Sequence, residues 1–195
     1  MKLIGFYDYT VILTYASIVS AVIGMVQAAH GSFTAAIICL VVSGLCDGFD
    51  GAVARTKKNR TDDEKAFGIQ LDSLCDVVSF GVAPAYLCYC MGVKGVAGLV
   101  CVCLYCLCAV CRLAFFNVLE AKRQQVESGS NKYYRGLPVT SISMIFPALY
   151  LFHGLFTAQV FAVILHGMLL VVAFLFVLDF RVKKLHLRLR KPVAR

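Results

Sequence analysis

The sequence predicts an all-α integral membrane protein, a bundle of six transmembrane helices with the N and C termini both cytoplasmic. Three observations predict it. Of the 195 residues 60% are hydrophobic and 15% charged, with a mean hydropathy of +0.80, too little polar surface to coat a soluble domain. Six windows are apolar over the roughly 20 residues that a helix needs to cross a bilayer. The basic residues fall in every second connection, the pattern that the positive-inside rule produces when the number of spans is even.

In chain order, the first window, Tyr9–Ala29, follows the opening MKLIGFYD, which suits a short interfacial helix. Its apolar run is too long for a signal-peptide core and no Ala-x-Ala site follows it, so it is expected to stay as a span. The second, Phe33–Ala54, becomes polar only towards its end. The remaining four cover 71–91, 96–119, 138–156 and 158–180. Pro84 and Pro147 fall inside spans three and five, where they kink the helix or line a gap. The polar segments are 56–67, 120–134 and 181–195, with no repeat or low-complexity linker, so a single membrane domain over 1–195 is expected.

Arg55, Lys57, Lys58, Arg60 and Lys65 follow span two, and Lys122, Arg123, Lys132 and Arg135 follow span four. Seven more basic residues lie in the tail, 181–195, while Lys94 is the exception in the other turns. The net charge of +8 then reads as attraction of a juxtamembrane tail to anionic lipid head groups. Nucleic acid is not an expected partner.

Several chemistries find no support. Ten cysteines, among them Cys103 and Cys106 in a C-x-x-C spacing, lie almost wholly in apolar spans. There they act as small hydrophobes and not as zinc or redox ligands, which need thiolates and polar access. His30, His153, His166 and His186 are scattered and none opens an H-x-K pair. Ser73 and Ser79 lack a nearby base of the triad type and are read as interhelical or substrate-positioning hydroxyls.

The informative residues are four aspartates, Asp47, Asp50, Asp72 and Asp76, inside or at the edge of apolar stretches. A carboxylate at the centre of a membrane helix costs about 2.5–3.5 kcal/mol on insertion scales, so four together call for a cation or a wet cavity. In the run from Asp47 to Arg55, spacings of three and four put Asp47, Gly51 and Ala54 on one face with Asp50 beside Asp47. Gly51 and Ala54 remove bulk where a ligand or another helix can approach. Gly68, Asp72 and Asp76 repeat every four residues at the start of span three. Spans two and three are antiparallel, so all four carboxylates can meet near the cytoplasmic side. Oxygen ligands without His or Cys suit Mg²⁺, Mn²⁺ or Ca²⁺, and Mg²⁺ is usually shared with substrate phosphates, to which Arg55 is suited.

The pattern D-x-x-D-G-x-x-A-R, a gap, then G-x-x-x-D-x-x-x-D resembles that of the CDP-alcohol phosphotransferase family, matched by Asp47, Asp50, Gly51, Ala54, Arg55, Gly68, Asp72 and Asp76. Twelve residues separate Arg55 from Gly68, more than the family's usual gap. An added helical turn or a longer loop takes this up at little entropic cost. LDSLCDVVSFGVAPA, CRLAFFNV and YYRGLP further resemble the CDP-diacylglycerol:serine O-phosphatidyltransferases within that family.

The resemblance implies a six-helix bundle, often a homodimer, with a metal-bearing cavity open to the cytoplasmic leaflet. It implies that Asp47, Asp50, Asp72 and Asp76 bind a divalent cation, Mg²⁺ or Mn²⁺, with Asp76 also the favoured general base. Gly51, Ala54 and Arg55 would receive the nucleotide and phosphate of CDP-diacylglycerol. Arg112 or Arg135 would hold the carboxylate of L-serine or the lipid phosphate, or would snorkel at the interface; Asn117 is a weaker candidate. Transfer to another alcohol, of the glycerol 3-phosphate or inositol type, stays open. So does a cation or proton transporter that uses the carboxylates as a relay, although it has no need of Gly51, Ala54 and Arg55 in register.

Overall fold

Two apolar helices joined by a three-residue turn start the fold, α1 (Ile12–Ala29) and α2 (Phe33–Ala54). The computed structural model describes residues 5–54, 56–57, 61–126 and 133–183. The helices pack through small side chains, with Ser17, Ala21 and Ala28 buried on α1 against Ala36 and Ser43 on α2. Ser17 and Ser43 share a hydrogen bond of 2.8 Å, and Ser20 Oγ donates to the Cys39 carbonyl at 2.8 Å. Apolar area cannot drive association in lipid, so close backbones and buried hydroxyl pairs hold this hairpin. A 3-10 turn, Tyr9–Val11, leads into α1 with Asp8 as its cap, and Gly5 to Asp8 are not helical. The expected interfacial helix therefore does not form over the described part of the opening, because Asp8 engages the Thr10 N–H and hydroxyl.

The segment expected to be polar loop up to Phe67 is in part helix. α3 (Asp62–Asp76) starts on a capping box: Glu64 N–H donates to Thr61 Oγ1 at 3.2 Å and Thr61 N–H to Glu64 Oε2 at 3.0 Å. Asp62, Asp63 and Glu64 occupy its first turn, where carboxylates suit the positive end of the helix dipole. The additional residues before Gly68 are thus taken up as helix. Span three begins well before residue 71 and continues to Cys90.

Inside that span the ladder changes pitch. Pro84 has no N–H and its ring displaces the carbonyl four residues back, that of Phe80. The chain responds with a π segment, Val77–Val82, before α4 (Ala83–Cys90) resumes. The Phe80 carbonyl accepts the Tyr105 hydroxyl at 2.7 Å and the Gly81 carbonyl faces Cys106 Sγ at 3.6 Å. Tyr105 is fully buried, so its phenol resupplies the partner that proline removed.

α5 (Gly95–Val126) has 32 residues, roughly 48 Å of helix, and runs past the expected end of span four. α6 (Ile142–Tyr150) is shorter than the expected span five: with its flanking 3-10 turns the apolar stretch is Val139–Leu155, and Pro147 lies inside it. α6 packs on α2 at Gly44, where an added Cβ would fall 2.1 Å from Ser143 Oγ, closer than any side chain tolerates. α7 (Ala158–Val177) closes the bundle against α5, with Phe176 against Tyr105 at 5.5 Å between ring centroids.

Among the described residues five helical stretches are long and apolar enough to cross a membrane, and Val139–Leu155 is a shorter sixth. The chain is therefore an integral, multi-pass, all-helical membrane protein but for one small ribbon. β1 (Tyr133–Arg135) pairs antiparallel with β2 (Arg181–Lys183), with Arg135 opposite Arg181. The tail expected as a basic, lipid-facing anchor begins with this strand; residues 184–195 lie outside the described residues. All ten cysteines are free. His153 stacks on Tyr150 at 4.2 Å and His166 Nδ1 lies 2.8 Å from the Ala162 carbonyl, both packing roles.

Candidate active site

α2 carries Asp47 and Asp50 near its C-terminal end, and α3 carries Asp72 and Asp76 before the π segment. The antiparallel arrangement brings them together. Carboxylate oxygens of Asp47, Asp50 and Asp72 lie within 4.8 Å of one another. Asp76 is not in that group of three but lies within hydrogen-bonding reach of Asp47, as Asp50 does of Asp72. Among the described residues none of the four makes an ion pair. Asp72 Oδ1 is buried without a hydrogen-bond partner.

Crowded, partly buried carboxylates repel one another and lose hydration, a cost that only a cation or protons can offset. An oxygen-only donor set with one buried orphan oxygen is what a hard divalent cation such as Mg²⁺ or Mn²⁺ accepts. The residues present therefore fit the cation that the sequence implies. Thr14 of α1, buried, donates from Oγ1 to Asp50 Oδ2 at 3.1 Å and fixes one carboxylate from behind.

Two cavities meet this cluster from different sides. One, about 150 Å³, is lined by Asp50 and Asp72 together with Gly51, Ala54, Gly68 and Lys65. The three residues without bulk leave the backbone of α2 and α3 open to a flat ligand. Lys65 adds a cation at the rim, where it also pairs with Asp62 at 2.9 Å. The second cavity, also about 150 Å³, is lined by Asp76, Arg112 and Thr140 among apolar Leu113, Phe116 and Val139. Asp76 thus faces both the carboxylate cluster and an arginine-bearing pocket.

Arg112 is buried to 8% exposure. Its Nε donates to the Leu137 carbonyl at 3.1 Å, and its guanidinium lies 6.0 Å from the Phe116 ring centroid. This is a held side chain; a snorkelling arginine would reach open interface. Arg135 lies on β1, and only its backbone is described. Arg55 lies outside the described residues. Ser73 Oγ donates to Asn117 Oδ1 at 2.8 Å, so these two candidates bind each other across α3 and α5. Ser79 Oγ is buried without a partner.

Sequence reasoning missed Thr14 and Lys65. Thr14 and Lys65 carry no signal of their own, since a threonine in an apolar helix and a lysine in a polar segment are ordinary.

Outside the spans, Lys57 reaches Asp8 Oδ2 at 2.7 Å and Glu64 Oε1 at 3.1 Å. It ties the approach to α1 to the start of α3. The Lys57 ammonium and the Thr10 hydroxyl hold the Asp8 carboxyl down at about 2.

A family model described as CDP-alcohol phosphatidyltransferase matches residues 9–180. The chain is 39% identical over 108 residues to a CDP-diacylglycerol–serine O-phosphatidyltransferase of Saccharomyces cerevisiae, 54% of this chain and 38% of that protein. It is 34% identical over 151 residues to an archaetidylserine synthase of Methanothermobacter thermautotrophicus, 77% of this chain and 60% of the relative. With a CDP-diacylglycerol–serine O-phosphatidyltransferase of Methanocaldococcus jannaschii it shares 37% over 108 residues, 55% and 49% of the two chains. These three matches span from 38% to 60% of the relatives' own lengths. No solved structure matches.

Proposed function

Since the chain belongs to the CDP-alcohol phosphatidyltransferase family, we propose that it transfers a phosphatidyl group from CDP-diacylglycerol to the hydroxyl of L-serine, giving phosphatidylserine and CMP. The observation that carries this is the position of Asp76: it touches the carboxylate cluster on one side and lines the Arg112 cavity on the other. One cavity of small residues beside the cluster suits the donor, and a second with a held arginine suits the acceptor. A relay of carboxylates for ion transport explains neither. Serine is favoured over other alcohols because relatives named for different lipids, phosphatidyl and archaetidyl, share serine in their names.

In this reading the cytidine and pyrophosphate of the donor lie against Gly51, Ala54 and Gly68, with Lys65 and Arg55 beside the phosphates. A divalent cation held by Asp47, Asp50 and Asp72, with Asp76 adjacent, would neutralise pyrophosphate charge and stabilise the departing CMP. Asp76 accepts the proton of the serine hydroxyl as its oxygen bonds to the lipid-bearing phosphorus. The bond from that phosphorus to the bridging oxygen breaks, and its electron pair leaves with CMP. Arg112 holds the serine carboxylate, a charge-assisted contact that also sets the angle of the hydroxyl; Arg135 is the second candidate for that role. The basic residues around Lys57 and Lys65 support a cytoplasmic location for this end of the bundle and for both termini. A homodimer belongs to the same proposal.

The test is CMP release from CDP-diacylglycerol by the purified protein, with serine and with other alcohols, with and without Mg²⁺ or Mn²⁺. Serine-stimulated, cation-dependent release is expected. Release stimulated by a different alcohol alone would move the acceptor; cation flux with no CMP release would overturn the enzyme reading.

A further inference from the structure

The cavity assigned to the donor has a third wall, made by Thr10, Val11 and Thr14 at the entry to α1. Thr14 pairs with Asp50 and Ser17 with Ser43, so the antiparallel register carries Thr10, one turn earlier, out to the Ala54 end of the cavity. That end lies roughly 6 Å along the helix axis from the carboxylate contact of Thr14. Both threonines are buried, and both have their hydroxyl hydrogens committed to carboxylates. Thr14 Oγ1 donates to Asp50 Oδ2; Thr10 Oγ1 donates to Asp8 Oδ1, which also receives the Thr10 N–H at 2.8 Å. Asp8 can only accept, because Lys57 stands 2.7 Å from its other oxygen and keeps the carboxyl ionised. The Thr10 hydroxyl has one hydrogen and two lone pairs, so with the hydrogen fixed it offers lone pairs alone. Capping of the first turn needs only the N–H contact; the hydroxyl contact is an addition to the cap.

A free hydroxyl turns to donate or to accept as its ligand requires, whereas a hydroxyl with a fixed hydrogen reads polarity. Cytosine carries an amino group at position 4, a donor, where uracil carries a carbonyl, an acceptor. Ribose hydroxyls both donate and accept, so a fixed hydrogen makes no difference to them. We infer that Thr10 is a specificity-determining residue of the donor subsite, accepting a hydrogen bond from the 4-amino group of cytosine, and that Asp8 is the positioning residue that fixes its polarity. This rests on the proposed use of a CDP-activated lipid and adds how the site reads the base. A uracil in the same place sets its carbonyl oxygen against the lone pairs of Thr10, and neither finds a hydrogen.

The experiment measures binding of CMP, UMP and 2′-deoxy-CMP to the full-length protein by calorimetry in Mg²⁺, which needs neither acceptor nor turnover. The unmodified protein should prefer CMP to UMP on the order of ten- to a hundredfold, the value of one buried hydrogen bond and its unmatched counterpart. Thr10→Val keeps the shape and removes the lone pairs, so CMP should weaken about tenfold while UMP does not, and Thr10→Ser should retain the preference. Asp8→Gly, a residue that an N-cap accepts, frees the hydroxyl to turn: UMP should bind more tightly while CMP holds, a gain that no loss of structure produces. Equal affinity of the unmodified protein for CMP and UMP overturns the inference, as does a CMP-to-UMP ratio that neither Thr10→Val nor Asp8→Gly moves. A change confined to the ratio of CMP to 2′-deoxy-CMP puts ribose at Thr10 and overturns it equally. If Thr10→Val does not fold, the other two variants decide: a retained preference in Thr10→Ser with a gain of UMP in Asp8→Gly supports the base contact, and any other result opposes it. A protein that shows this preference but no serine-stimulated CMP release refutes the serine reading and leaves the base contact standing. One that binds no cytidine nucleotide refutes the donor cavity and the base contact together.

Discussion

The carboxylate side and the arginine side of the site are built in opposite ways. Asp47, Asp50, Asp72 and Asp76 come from two consecutive helices, and their meeting needs only helical spacing and one turn of chain between α2 and α3. Arg112, Leu137 and Gly136 come from the middle of α5 and from a turn before α6, and the Gly136 N–H reaches the Phe180 carbonyl in the chain beyond α7. They meet only because a glycine at φ +70° and a pair of three-residue strands hold them. Chemistry common to a family can sit on the first kind of framework. Choice of acceptor is better placed on the second, where one residue can change without disturbing the cluster.

The sharpest way to break this comparison is Asp76→Asn, at the boundary of the two sides. It should lower CMP release with every acceptor by about 10²–10⁴, the usual contribution of a general base, with donor binding retained. A loss limited to serine would place Asp76 with the acceptor side alone. Next, Gly136→Ala should raise serine KM by roughly tenfold while leaving CDP-diacylglycerol KM unchanged. Its Cβ would stand 3.0 Å from the Leu178 carbonyl, so the turn that anchors Arg112 would shift, and its φ is strained for alanine, at about 1–2 kcal/mol. Equal losses for both substrates would show that the two sides are not separable.

Thr14→Val removes the hydrogen bond to Asp50 Oδ2 and should raise the Mg²⁺ or Mn²⁺ concentration for half-maximal activity by about tenfold, at the lower end for supports of metal ligands. Serine KM measured at saturating cation should stay put. The smallest effect concerns the strap between Asp8 and Lys57. Asp8 has its carboxyl lowered from 3.8 to about 2, so this contact is complete above roughly pH 4 and is lost as pH falls through 2. Hydrogen exchange at the Thr10 amide, which donates to Asp8, should accelerate across that window beyond its intrinsic rate. Lys57→Met should move the transition up towards 3.8; a transition that stays in place would leave Lys57 without a part in it.

The same contrast explains what could be read from the sequence. The first two spans, Tyr9–Ala29 and Phe33–Ala54, have the expected boundaries because apolar length alone determines them. The grouping of Asp47, Asp50 and Asp72 follows from spacings of three and four. The polar run TDDEKAF masks the early start of span three, although Thr61 and Glu64 stand in the spacing of a capping box, a helix start. The ribbon of Tyr133–Arg135 with Arg181–Lys183 was not legible: three residues carry no period, and their partners lie across two helices. Arg112 could be nominated, but its anchor, the Leu137 carbonyl, is a backbone atom that no residue type announces.

The π segment after Asp76 has a consequence for how such chains can diverge. A helix that has absorbed a surplus residue without unwinding carries two rotational phases, one on each side of the widened turn. Upstream, the phase aims Asp72 and Asp76 at α2; downstream, it is locked by Pro84 and the phenol of Tyr105. Deleting a single residue between Val77 and Val82 would restore a regular ladder and swing one phase by about 100° against the other. Membrane packing and carboxylate geometry could then no longer both be satisfied. In this span a one-residue gap is a graver change than most substitutions, and its length is under tighter constraint than its apolar side chains.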